Sequence, residues 1–172
     1  MTNTELTGSI KALLDEYKKA INELISVIKP LNYNQLSMVV DNNTKDIDCT
    51  SIQTILTHTI YSGYGYSVYI ENAIGLNKTR PDEATFDNVN QYIDQLNSMF
   101  EYCENLFKKN TNLTIEQTDN SKKMNVGWGQ QYDIEQLLEH AIVHILRHRR
   151  QIENFIKKQN EQTVLVQRKM DK

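Results

Sequence analysis

Apolar side chains recur along this chain at spacings of three and four, the period of helices that each bury one face. Ile10, Leu13, Leu14, Tyr17, Ile21, Leu24, Ile25 and Ile28 form the first stripe. Pro30 ends it, because proline has no amide hydrogen to continue the ladder. A second helix is expected from Thr50, with Gln53 completing a capping box and Ile52, Ile55, Leu56 and Ile60 forming its apolar face. Gly63 and Gly65 fall inside it, each costing roughly 1 kcal/mol relative to alanine. Another group must therefore approach closely there, and a neighbouring backbone is preferred over a ligand. Gly75 suits the C-terminal cap, and Pro81 marks the connection that follows.

The third helix is expected from Thr85, with Phe86, Val89, Ile93, Leu96, Phe100, Cys103, Leu106 and Phe107 on one face. Lys108 and Lys109 suit its negative end. Residues 110–131 break the period and hold the only tryptophan, in Gly127-Trp128-Gly129, which reads as a loop anchored by that side chain. A fourth helix opens with Asp133 as cap, Gln136 at the capping-box position and Tyr132 placed to staple onto Leu137. It is expected to run to about Lys158, so that residues 1–158 form one domain and residues 159–172 a polar C-terminal tail. Four amphipathic helices without convincing strands predict an all-α fold, a four-helix bundle with long connections.

Composition narrows the function classes. With 172 residues, 39% of them hydrophobic, the chain can bury one sizeable core. A net charge of -3 with mixed signs gives no electrostatic reason to expect nucleic acid or a membrane surface as partner. No apolar run approaches a membrane span, and the start Met-Thr-Asn-Thr-Glu has no apolar signal stretch, so a cytoplasmic location is expected. Cys49 and Cys103 do not make a disulfide framework, and Cys103 falls on a core stripe.

The chemistry is concentrated in four histidines. His140, His144 and His148 occupy successive turns of the fourth helix, and side chains four apart share a face about 6 Å from one another. Advancing about 100° per residue, His144 and His148 border the core face marked by Ala141, Ile145 and Ile152, while His140 lies about 40° further towards solvent. His58 borders the apolar face of the second helix. Packed together, His58, His144 and His148 would offer three neutral nitrogens to one divalent ion and leave positions open, the arrangement of a catalytic centre.

Spacing excludes two familiar alternatives: no glutamate follows the first histidine of either i,i+4 pair, as a zincin requires, and none stands three residues before a histidine, as a di-iron bundle requires. A metal-dependent hydrolase needs a carboxylate base, yet Glu139 points about 140° from His144 and the second helix has no acid near His58, so a base would have to come from another element. Arg147, Arg149 and Arg150 spread around the helix and read as solvation and ion pairing. Gln151 projects beside His144 and His148, and Tyr61 follows His58 by one turn; these two are the candidate catalytic residues.

His58 together with His144-x-x-x-His148-Arg149-Arg150-Gln151-Ile152 resembles the DinB/YfiT family, whose last helix carries a His-x-x-x-His-Arg-Gly-Gln-Ile-type run. The resemblance spans residues 6–158 and matches His58, His144 and His148 to the three metal ligands. His140 matches no required position, and Arg150 stands where glycine is usual. It implies a four-helix bundle, often a homodimer, with a zinc- or nickel-type ion and a small-molecule substrate. Its members include thiol-dependent S-transferases and a thiol-dependent isomerase. Such an activity suits three neutral imidazoles, which leave the ion's charge free to hold a low-molecular-weight thiol as thiolate. A stress-associated bundle in which metal or dimerisation is only structural is the second reading, and openness at the site discriminates the two.

Overall fold

Each apolar stripe folds as a long helix. The computed structural model describes Leu6 and residues 8–170, with side chains through Leu165. In chain order it contains α1 (Gly8–Ile28), the short α2 (Tyr33–Ser37), α3 (Ile52–Ala73), α4 (Val89–Lys109) and α5 (Ile134–Met170). The fold is all-α apart from two-residue strands β1 (Met124–Asn125) and β2 (Gln131–Tyr132), which pair antiparallel between α4 and α5. Helix α1 packs on α4 and α5, and α3 packs on the same two, so each long helix has two principal neighbours. Among the described residues no helix is long and apolar enough to cross a membrane.

The buried positions follow the stripes. Leu14, Tyr17, Ile21, Leu24 and Ile28 of α1 face Leu96, Phe100, Cys103 and Phe107 of α4 and Leu137, Ala141, Ile145 and Ile152 of α5 within one core. Each such Leu, Ile or Phe removed from water contributes about 1.5–3 kcal/mol. The edge-to-face pair of Tyr17 and Phe100, with centroids 5.8 Å apart, ties α1 to α4. Tyr92 is fully buried, and its hydroxyl accepts from the Phe86 amide at 3.2 Å and donates to the Gln53 carbonyl at 3.3 Å. The α3–α4 connection is thereby fastened back onto α3.

Several element ends differ from expectation, each for a local reason. Helix α3 is capped by Ser51, not Thr50: Ser51 Oγ accepts from the Thr54 amide and Thr54 Oγ1 accepts from the Ser51 amide, both at 3.1 Å. Thr50 instead closes a 3-10 turn, Ile47–Cys49, whose cap is Asp46. Helix α4 begins at Val89 behind the Asn88 cap, because Phe86 is spent on the Tyr92 and Gln53 contacts of the connection. Asp133 and Gln136 form the reciprocal cap expected for α5. That helix continues past Lys158 to Met170, since no proline or glycine interrupts it and Gln159 is buried, donating to the Gln35 carbonyl at 2.8 Å. The segment expected to be a polar tail is thus helical as far as it is described. Gly75, at φ +85°, ends α3 as expected, with the Leu76 amide reaching back to the Glu71 carbonyl at 2.9 Å.

The two α3 glycines do admit close neighbours, but these are side chains and not a backbone. A Cβ on Gly63 would lie 2.0 Å from Met99 Sδ, and one on Gly65 would lie 3.3 Å from Arg80 Nη1. Met99 is fully buried, so its thioether would have to repack within the core. Gly63→Ala is therefore expected to lower stability by about 1–3 kcal/mol through overpacking, despite alanine's better helix propensity. A chemical-denaturation midpoint checks this, and an unchanged or raised midpoint refutes it.

Candidate metal centre

His58 lies on the second turn of α3, and His144 and His148 lie four apart on α5, where the two helices pack together. The structure brings these three side chains into one cluster, with a ligand atom of each within 4.8 Å of the others. His144 Nε2 is 3.2 Å from His58 Nε2 and 3.1 Å from His148 Nε2. His140 does not join them.

The outer ring nitrogens settle where the protons are. His58 Nδ1 lies 3.2 Å from Asp48 Oδ2, and His148 Nδ1 lies 3.1 Å from Gln151 Oε1. Both partners are acceptor oxygens, so each Nδ1 carries its hydrogen and donates it. In the neutral rings the Nε2 atoms of His58 and His148 are then bare lone pairs, both aimed at His144 Nε2. That third nitrogen can supply at most one hydrogen to two acceptors. Three inward nitrogens share too few protons for their separations, and a cation is the natural partner for such a set. The donor set fits one: nitrogens bound at about 2.0–2.1 Å to a tetrahedral zinc stand about 3.4 Å apart. Hydrogen bonds to the outer ring nitrogens are also the usual means of fixing the orientation of metal-binding imidazoles.

Burial keeps His144 and His148 neutral. Desolvation, reinforced by the charges that His148, His58 and His140 would carry, pushes His144 down to about 2. Desolvation likewise pushes His148 down to about 4, against the opposing effect of the hydrogen bond it donates to Gln151. Burial also lowers His140.

A cleft of about 430 Å³, the size of a small-molecule site, leads to the cluster and is lined by His58 and His144. Aromatic rings form much of the remainder. Trp128 stacks on His140 with centroids 5.2 Å apart and planes 22° from parallel, and Tyr66 sets its edge against both His140 and His144. Trp128 gets there through the hairpin, whose tip is clamped when the Gly127 amide donates to the Tyr69 hydroxyl at 2.8 Å. The loop is thus anchored by Tyr69 and the strand pair, while Trp128 itself remains 44% exposed to the cleft. Burial raises the Tyr66 phenol to about 12, so it stays protonated at neutral pH.

Of the two catalytic candidates, Gln151 is spent on His148 and lies 3.8 Å from Cys49 Sγ, which makes it a positioning residue. Tyr61 does not line the histidine cleft. It faces a separate crevice of about 60 Å³, and the Arg80 guanidinium covers its ring at 3.4 Å. Arg149 ion-pairs with Glu23 and Glu153 as expected of a solvated arginine, whereas Arg147 lines the cleft.

Three participants escaped the sequence reading. Asp48 supplies the carboxylate near His58 that α3 itself lacks, from a 3-10 turn with no periodic signal. Arg80 arrives on the irregular α3–α4 connection. Arg147 follows His144 by three residues, and that helical spacing was the available clue. Compared with known proteins, the chain matches no family model and no curated protein.

The folded values of about 2 and 4 lie below the ordinary 6.5 for histidine. Between those values and 6.5 the unfolded chain therefore binds protons that the folded chain excludes. Metal-free protein should hold its full stability from these groups above about pH 6.5 and lose up to about 1.4 kcal/mol per pH unit for each histidine as pH falls below it. Urea midpoints at pH 7 and pH 5.5 measure the loss, which should be smaller in His148→Gln. Equal slopes in the two proteins would remove the assignment.

Proposed function

We propose that this chain is a metal-dependent four-helix-bundle protein of the DinB/YfiT type. In this reading His58, His144 and His148 hold zinc or nickel, and the site activates a low-molecular-weight thiol for transfer to an electrophilic small molecule. The observation that carries the reading is the proton-poor cluster of three Nε2 atoms opening into a substrate-sized cleft. A divalent ion bound there would supply the positive charge that keeps a thiol ionised near neutral pH.

The chain's own residues do the rest. Asp48 and Gln151 fix the tautomers of His58 and His148 and aim their lone pairs inward. Tyr66, Trp128 and His140 give an apolar, flat wall against which a planar acceptor can lie. In the transfer the thiol's proton goes to solvent, the sulfur lone pair forms a carbon–sulfur bond, and the leaving group departs with its bonding pair.

Two observations favour this over the alternatives. The cleft reaches the histidines, whereas a metal that only stabilises a fold is closed off by its ligands. No Asp or Glu lines the cleft, and Asp48 is engaged on the far side of His58, so no carboxylate is placed to deprotonate a water. The reading carries with it the reducing cytoplasm, where such thiols are kept reduced, and a homodimer.

Elemental analysis of purified protein should find metal that is lost in His58→Ala, His144→Ala and His148→Ala and kept in His140→Ala. Asp48→Ala should weaken metal affinity about 10–100-fold without abolishing it. Metal-loaded protein should accelerate conjugation of cysteine to monochlorobimane, and His144→Ala should not. Metal content indifferent to His144→Ala refutes the site; intact metal binding without thiol-dependent conjugation refutes the reaction.

A further inference from the structure

The cleft over the histidines holds two guanidinium groups, those of Arg80 and Arg147, and no acidic side chain. The protein as a whole carries a net charge of -3, so this concavity runs against the sign of the molecule. Among the described residues neither arginine is ion-paired, while their neighbour on α5, Arg149, is held by Glu23 and Glu153. Two unneutralised cations in a substrate-sized cleft are a recognition element for an anion.

Arg80 is held in place for that role. Its guanidinium lies over Tyr61 at 3.4 Å from the ring centroid, a contact made by the flat face. The N–H donors lie in the plane of the group and stay available at its edges. The chain around it is fixed on both sides. Asn72 clamps Lys78, donating to its carbonyl at 3.0 Å and accepting from its amide at 2.6 Å, and Gln53 donates to the Phe86 carbonyl at 2.9 Å. Gly65 supplies the room, since a Cβ there would stand 3.3 Å from Arg80 Nη1. A glycine that costs helix stability is thus accounted for by the guanidinium that passes over it. Arg147 follows His144 by three residues on α5, a spacing that sets both on one helix face, and it lines the same cleft as Arg80.

We infer that Arg80 and Arg147 form an oxyanion-binding subsite, so that the small molecule entering this cleft carries a carboxylate or phosphate group while its reacting end meets the histidines. The inference deepens the proposed function and names the charge class of its ligand. Recognition of the anion by the two arginines does not itself need a metal or a thiol.

Trp128, the only tryptophan, lines the cleft, so its fluorescence reports occupancy. Inorganic phosphate tests the anion subsite alone, and 3-mercaptopropionate against neutral 3-mercaptopropanol tests it with a thiol present. Wild-type protein should bind 3-mercaptopropionate about tenfold more tightly than 3-mercaptopropanol, the range of one charge-assisted hydrogen bond. Arg80→Gln and Arg147→Gln should each weaken phosphate binding and shrink that preference. Both side chains are exposed, so the variants should keep the wild-type melting temperature. Gly65→Ala should weaken phosphate binding by displacing Arg80 while the protein stays folded. Phosphate binding should survive His144→Ala, which removes the proposed metal site, so failure of the thiol reading and failure of the anion subsite give different results. No charge preference in the wild type, or full preference and phosphate affinity in both arginine variants, overturns the inference.

Discussion

The contact between α3 and α5 at the three histidines is the constraint on which the rest of the site depends. His144 Nε2 faces His58 Nε2 at 3.2 Å and His148 Nε2 at 3.1 Å, and the outer nitrogens of the two flanking rings have given their hydrogens to Asp48 and Gln151. Every other feature of the cleft serves or tolerates that arrangement. The 3-10 turn at Ile47–Cys49 delivers Asp48, the hairpin delivers Trp128, and the glycines of α3 make space for Met99 and Arg80. Polar groups this buried must be satisfied or accept a partner from outside.

The core was legible because it is periodic. A stripe such as Leu14, Tyr17, Ile21, Leu24 and Ile28 states its own buried face, and the positions of His144 and His148 follow from the same 100° advance. That advance also separated His140 from its two neighbours, and in the structure His140 packs among Trp128, Tyr66 and Tyr132. Apart from Arg147 on α5, what stayed hidden lies where the period stops. Asp48 and Arg80 occupy a turn and a connection, and the place of Trp128 beside His140, beyond its loop, is set by a hairpin; each depends on contacts with residues ten or more positions away in the chain. Tyr61 failed for a different reason. One turn after His58 it shares a helix face with it, but Arg80 covers its ring and walls it off from the cleft. A spacing rule gives direction from a helix and cannot give what arrives from the other side.

Irregular segments therefore bring Asp48, Arg80 and Trp128 to the site, while the helices hold the three histidines and Arg147. This division has a physical basis: helices hold His58, His144 and His148 rigidly relative to one another, as a metal or reacting group requires. Connections need only bring a side chain to the rim, and few backbone anchors suffice. The Asn72 clamp and the Gln53 and Tyr92 contacts do this for Arg80, and the Tyr69 hydroxyl does it for Trp128. Such segments can change sequence without disturbing the core, so the side chains they bring to the rim can vary while the histidine cluster stays in place.

The cluster also sets a balance between folding and binding. Holding His144 and His148 neutral and desolvated, with lone pairs converging, opposes folding in the absence of a ligand. Buried apolar side chains from all four long helices offset that cost, which explains how a packed core can coexist with a proton-poor polar cluster at its edge. A cation that binds only the folded chain would return the deficit, because binding free energy adds to stability by linkage. The same neutrality that makes the rings costly makes them ready ligands at pH 7, since no proton has to leave them first. The surrounding core is thus what allows a desolvated histidine cluster to persist at its edge.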